Sequence, residues 1–238
     1  MSLPILMYHK VGAPVASKPD TFLNVSEKSF SRQMRLLKRL GYSGVTYEEG
    51  AEWLAGRKKL PGKPVCITFD DGYVNVGEFA APILKQFGWP ATVFVPTAYV
   101  GGMNSWDEVN GYPLLPIMDW ARLKQLQDSG WEMAGHTRSH PRLETLDATE
   151  ALKEMREGRE EIADNLGTAV KTFCYPFGGI GAETPELAKS AGFIAACTTK
   201  SGLATSKANP FLMPRVKIAY RDDAAGFFYR LVIRPRLG

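Results

Sequence analysis

Short apolar strands alternating with amphipathic helices predict an α/β fold for this 238-residue chain, with a barrel favoured over an open sheet, in a single domain spanning residues 1–238. Two observations carry that reading. The alternation repeats near-regularly through six to eight units, as parallel sheets with crossover helices require. The residues able to do chemistry each follow directly after a predicted strand, which in such barrels places them on one face. No Gly-x-Gly-x-x-Gly or Walker-type loop is present, which weakens nucleotide-binding alternatives.

The elements follow in order. Pro4 to Tyr8 reads as a strand. Phe30, Met34, Leu37 and Leu40 recur at helical spacing after Ser26, and Gly41 stops that helix. Val65 to Phe69 is a continuous apolar run, as a strand covered on both faces needs. Ala80, Ile83, Leu84 and Phe87 mark a helix ended by Gly88, and Ala91 to Val95 is the next strand. Asp119 caps a helix carrying Leu123 and Leu126, stopped by Gly130. Trp131 to Ala134 is a strand. Asp147 and Glu150 have capping-box spacing ahead of a helix with Leu152, Met155, Ile162 and Leu166, which Gly167 ends. Val170 to Tyr175 is a strand, Thr184-Pro185 opens a short helix ending at Gly192, and Phe193 to Thr198 and Leu212 to Ile218 are the last strands. Pro96 to Met118 has little periodicity and is long for a loop in a compact domain. Its Trp106 and Tyr112 offer aromatic faces suited to a sugar ring; packing onto the barrel rim explains them equally well.

Composition excludes several classes. Hydrophobic content of 45% and charged content of 23% are ordinary for a globular protein. No apolar run approaches the roughly 20 residues of a membrane helix. Met1-Ser2-Leu3-Pro4 lacks a basic segment leading into an apolar one, so no signal peptide is expected and the expected location is cytoplasmic; a processed exported form with an added start would read the same. Cys66, Cys174 and Cys197 are odd in number and widely spaced, which argues against a disulfide framework. Cys66 and Cys197 read as small core residues. The net charge of +4 resides in the last segment, where Arg215, Lys217, Arg221, Arg230, Arg234 and Arg236 face only Asp222 and Asp223. That pattern reads as a solvated helix end, with a surface for anionic lipid or an anionic glycan as the minority reading, and not as the basic stripe of a nucleic-acid-binding domain; no nucleic-acid partner is expected.

The chain has only three histidines, and all fall in chemical-looking segments. His136 and His140, four apart, would share one side of a helical turn. Asp70-Asp71-Gly72 closes the apolar Val65–Phe69 run; a turn explains it alone, but with the two histidines it reads as a metal site. Two imidazoles and one carboxylate leave positions open for water and substrate, the composition of a catalytic site. The remaining carboxylate then suits a general base. His9, after the first strand, is either a hydrogen-bonded rim residue or a general acid titrating near neutral pH.

Together these residues resemble the polysaccharide deacetylase family (carbohydrate esterase family four, the NodB-homology domain). Thr68-Phe69-Asp70-Asp71-Gly72 looks like its first motif and His136-Thr137-Arg138-Ser139-His140 its second. Phe173-Cys174-Tyr175-Pro176-Phe177-Gly178 looks like a variant of its third. The resemblance implies a distorted (β/α)7-type barrel of about seven strands and one divalent metal, most often zinc; cobalt, nickel and manganese accept the same nitrogen and oxygen ligands. It implies Asp71, His136 and His140 as ligands and Asp70 as base. Tyr175, Pro176 and Phe177 would bind substrate, with the Phe177 N–H on the oxyanion, and Trp106 would flank the sugar.

Two departures stand out. Cys174 occupies the place of an arginine that holds the catalytic aspartate, and Arg215 is the expected replacement. The C-terminal leucine-x-histidine motif is absent. Met7-Tyr8-His9 fills its place, as in a permuted subgroup resembling poly-N-acetylglucosamine deacetylases. The implied activity is hydrolysis of an N-acetyl group on an N-acetylated glycan or amino sugar. A non-sugar amide or imide hydrolase and a non-catalytic glycan-binding barrel are the alternatives.

Overall fold

The computed structural model describes residues 1–12, 23–218 and 224–233. Seven parallel strands close a barrel: β1 (Ile5–Tyr8), β2 (Lys63–Phe69), β3 (Thr92–Val95), β4 (Glu132–Gly135), β5 (Thr172–Cys174), β6 (Ala195–Ser201) and β7 (Met213–Lys217). Each pairs with its neighbours in sequence, and β1 closes the ring by pairing with both β2 and β7. The ring is uneven. β1 and β2 share four residue pairs from Ile5↔Cys66 to Tyr8↔Phe69. By contrast β4 meets β5 only at Gly135↔Phe173, and the β6–β7 register breaks between Cys197 and Ser201.

Helices α1 (Glu27–Arg39), α2 (Tyr47–Leu54), α3 (Ala81–Lys85), α4 (Trp120–Asp128), α5 (Ala148–Leu166), α6 (Thr184–Ser190) and α7 (Ala224–Phe228) accompany the strands. Their starts follow the expected chemistry. Ser26 accepts from Ser29 N–H, Asp119 from Arg122 N–H, and Asp147 with Glu150 forms a complete capping box. The helix expected around Ala80 begins one turn earlier, as a π segment, Val76–Ala80. The long 96–118 segment is folded: it contains short 3₁₀ turns at Thr97–Tyr99 and Ser105–Asn110 and bridges back through Tyr73↔Ile117 and Met103↔Pro116.

One unit escaped the sequence reading. A strand at Tyr42–Val45 pairs with β2 outside the ring, and α2 follows it. Ser43 and Gly44 interrupt the apolar pattern there, so no strand signal shows.

Side chains alternate along the strands, as period-two geometry demands. Leu6, Val65, Ile67, Val93, Met133, Phe173 and Ala196 belong to the core between sheet and helices. Ile5, Cys66, Phe94, Ala134, Cys174, Ala195, Cys197 and Met213 form the second core, inside the ring. The three cysteines are therefore buried free thiols lining the barrel. Small residues there leave space for Arg215, which is fully buried. Of the basic tail, Arg221, Arg234 and Arg236 lie outside the described residues. No described helix is long and apolar enough to cross a membrane.

Candidate metal centre and general base

The C-terminal ends of β1, β2, β4, β5 and β7 bring the predicted residues together. Asp71, His136 and His140 are buried, and their ligand atoms lie within 4.8 Å of one another. Asp71 Oδ1 is 3.4 Å from His136 Nε2 and 3.3 Å from His140 Nε2. A tetrahedral zinc with arms of about 2.0–2.1 Å has ligand–ligand edges of about 3.3–3.4 Å. His136 Nδ1 donates to the Cys174 carbonyl at 2.6 Å, which leaves the Nε2 lone pair aimed at the cluster. The residues present thus fit a divalent metal in donor type and in spacing.

The histidine run is not helical, contrary to the four-residue spacing argument. Thr137 and His140 have φ of 65° and 57°, and a left-handed backbone cannot continue an α-helix. The two rings converge because the loop turns back: the Thr137 hydroxyl accepts from His140 N–H at 3.0 Å and donates to the His136 carbonyl at 2.5 Å. Asp71 (φ 73°) and Phe177 (φ 56°) are also left-handed, and these four are the non-glycine residues with positive φ among those described. Each such backbone costs about 1–3 kcal/mol. The strain is thus concentrated at the cluster.

Asp70 faces a different environment. Arg215 grips it through two parallel hydrogen bonds, Nη1 to Oδ1 and Nη2 to Oδ2, both 2.7 Å. Arg215 is itself fixed by the Thr198 carbonyl (2.9 Å), the Thr68 hydroxyl (3.1 Å) and Cys174 Sγ (3.1 Å). The guanidinium that the Cys174 departure removes from β5 therefore arrives from β7, and Cys174 is small enough to admit it. Burial works to raise the Asp70 carboxyl, but Arg215 outweighs it and holds the group below its ordinary value. Burial opposes ionisation of Asp71 likewise, and its bonds to His136 and His140 carry it well below.

His9 Nε2 lies 3.6 Å from Asp70 Oδ2, close but beyond a hydrogen bond. Burial pushes its pKa below the ordinary value, opposed by Asp70 and Asp71. Trp106 and Phe177 flank the His140 ring, with centroids at 4.5 and 4.6 Å. Trp106 also packs on Tyr99 at 4.6 Å. The Phe177 ring is 39% exposed, so one wall of the site is aromatic and open. Pro176 is buried in the turn beneath it.

Tyr175 departs from expectation. Its hydroxyl donates to the Phe211 carbonyl at 2.9 Å, and its ring packs on Phe173. The side chain therefore faces the helix layer, because it sits one residue out of phase with the inward-facing Cys174. Sequence reasoning missed Thr68 and Thr198, which position Arg215, and Glu154, which binds the histidine loop. Thr68 opens the first motif and is a polar residue inside an otherwise apolar strand, but neither signal gives it a partner.

A closed parallel barrel thus carries at its mouth a His-His-Asp cluster that could hold a metal ion and, beside it, an arginine-held carboxylate. The sequence model of the polysaccharide deacetylase family matches residues 57–196, and the chain belongs to that family. The matched span holds Asp70, Asp71, His136 and His140 but neither His9 nor Arg215, which come from strands that complete the ring. The chain is 28% identical, over 218 residues, to a poly-β-1,6-N-acetyl-D-glucosamine N-deacetylase of Staphylococcus aureus (strain MRSA252), covering 88% of this chain and 72% of that protein. Among solved structures, IcaB from Ammonifex degensii is similar at a TM-score of 0.76 and 26% identity, covering 91% of each chain. Streptococcus pyogenes deacetylase PplD, in complex with acetate, shares the fold at a TM-score of 0.84 and 23% identity, over 97% of this chain and 98% of that one.

Proposed function

We propose that this chain is a metal-dependent hydrolase that removes the N-acetyl group from an N-acetylated amino sugar in a glycan, releasing acetate. Membership of the polysaccharide deacetylase family makes it a hydrolase of carbon–nitrogen bonds. The observation that carries the finer reading is the adjacency of Asp71, bonded to two converging imidazoles, and Asp70, held ionised by Arg215.

Asp71, His136 and His140 would hold the metal. Two imidazoles and a carboxylate suit zinc, and cobalt, nickel or manganese would accept the same donors. A divalent cation there supplies Lewis acidity, acidifying water and polarising the acetyl carbonyl. Asp70 accepts the proton of the attacking water, and the Arg215 grip keeps its carboxylate ionised and aimed. The Phe177 peptide N–H donates to the oxygen on which charge develops. His9 delivers a proton to the departing nitrogen. Trp106 and Phe177 offer faces to the sugar ring. The products are acetate and a free amine.

Arg215 on Asp70 supports the catalytic reading over a non-catalytic glycan-binding barrel, because the guanidinium absent at Cys174 is supplied from β7. Acetate release by the zinc-loaded protein from N-acetylglucosamine oligomers, set beside small amides and imides, tests the reading. Turnover of the oligomers that is lost in Asp70→Asn supports it. Turnover confined to non-sugar amides, or none on any substrate, overturns it.

A further inference from the structure

The two ligand imidazoles are oriented by different means. The His136 ring is fixed through its own second nitrogen, which donates to the Cys174 carbonyl at 2.6 Å. His140 Nδ1 is buried and has no partner among the described residues. Its orientation therefore depends on the main chain that carries it and on the rings beside it.

That main chain is bound by one carboxylate. Glu154, within α5, accepts on Oε2 from the Arg138 N–H (3.0 Å) and the Ser139 N–H (2.7 Å), and on Oε1 from the Ser139 hydroxyl (2.7 Å). One turn along α5, Gly158 lets the loop lie directly on the helix: a Cβ there would sit 2.6 Å from the Thr137 carbonyl carbon and oxygen. From the other side the Ala98 N–H donates to the Arg138 carbonyl at 2.9 Å and the Tyr99 hydroxyl to the Ser139 carbonyl at 3.3 Å. The N–H groups of Arg138 and Ser139 are thus anchored by Glu154, and the left-handed His140 follows directly.

We propose that Glu154 is a positioning residue for the metal centre, holding His140 in ligand geometry through the main chain in place of the missing ring hydrogen bond. The proposal rests on Asp71, His136 and His140 being the metal site. Partners outside the ligand shell that orient a ligand typically set metal affinity by about 10- to 100-fold. Gly158 serves the same end by giving the loop its seat.

The test is zinc affinity by competition with a chromophoric chelator, together with the visible spectrum of the cobalt-substituted protein. It compares wild type, Glu154→Ala, Glu154→Gln, Gly158→Ala and the exposed control Glu160→Ala. Glu154→Ala is expected to weaken zinc binding by about 10- to 100-fold and to alter the cobalt bands. Glu154→Gln, which keeps one acceptor oxygen, is expected to fall between it and wild type. Gly158→Ala is expected to weaken zinc by pushing the loop off its seat on the same helix, and Glu160→Ala to leave it unchanged. Folded Glu154→Gln and Gly158→Ala variants with wild-type affinity and wild-type cobalt spectra would overturn the proposal while leaving the metal site standing. A wild-type protein that takes up no zinc would overturn the metal site and the proposal together.

Discussion

The two ends of the barrel each secure carboxylates with several partners, and they treat them in opposite ways. At the N-terminal end, Glu132 of β4 is partly buried and accepts from three neutral donors: the Glu48 N–H (2.9 Å), the Thr92 hydroxyl (2.8 Å) and the Thr172 hydroxyl. Burial dominates there, and its pKa is raised above the ordinary value. At the C-terminal end, Asp70 and Asp71 are more deeply buried, yet a guanidinium and two imidazoles hold both below the ordinary value. A cavity of about 910 Å³ opens at the N-terminal end, lined by Thr46, Trp89, Gln127 and Glu132. Neither a large cavity nor a satisfied carboxylate by itself marks a candidate site. Paired charges and converging lone pairs do, and they occur at the other end.

The sharpest break in the comparison is Asp70→Asn. With the proposed base gone and the proposed ligands intact, acetate release should fall by about 10²- to 10⁴-fold while zinc stays bound; elemental analysis beside the rate checks both halves. Next is Arg215→Met, which leaves a buried carboxylate without its partner. Loss of about 3–5 kcal/mol is expected by urea unfolding, because the buried carboxylate is left without its charge partner. An Arg215→Met protein as stable as wild type would mean that Asp70 is solvated or protonated in the native state.

The pH dependence of stability separates the two ends. Glu132 has a raised pKa in the fold, so its contribution is fully present below its ordinary value of 4.5 and is lost as pH rises through the folded value. Glu132→Gln cannot ionise, so relative to wild type it should gain stability as pH climbs above 4.5, with acetate release kept within about twofold. Asp70 and Asp71 behave inversely. In zinc-free protein their contribution is present above the ordinary 3.8 and is lost as pH falls through their lowered values. Urea midpoints measured against pH for wild type, Glu132→Gln and Asp71→Asn should therefore show trends of opposite sign. The smallest expected effect is Trp106→Ala. It should raise KM for an N-acetylglucosamine oligomer by about 10-fold, as loss of one stacking face would, and leave kcat nearly unchanged. A fall in kcat instead would show that Trp106 acts through the His140 ring that it packs against.

How much of this was legible in the sequence follows from how local each signal is. Capping residues and terminating glycines act within one turn, so α1, α4 and α5 could be read directly, as could strand β2 from its largely apolar run. The extra strand at Tyr42–Val45 could not, because pairing with β2 supports it and its own alternation does not. Asp70, Asp71, His136 and His140 announced themselves by type and by their place after strands. Their convergence did not come from helical spacing, however: a left-handed turn at Thr137 and His140 produces it, and no pattern of polarity encodes that. Arg215 was placed near Asp70 by the gap at Cys174. Tyr175 was misplaced because a motif says nothing about which face of the strand a side chain takes. Glu154 left no trace, since a glutamate in the middle of a helix normally faces water.

The most direct test of the central claim is metal content after zinc loading and dialysis, measured for wild type and for His140→Ala. The structure predicts on the order of one zinc per chain in wild type, lost in the variant while the fold is retained. A wild-type protein without zinc, or a His140→Ala variant that keeps it, would contradict a metal centre built from Asp71, His136 and His140.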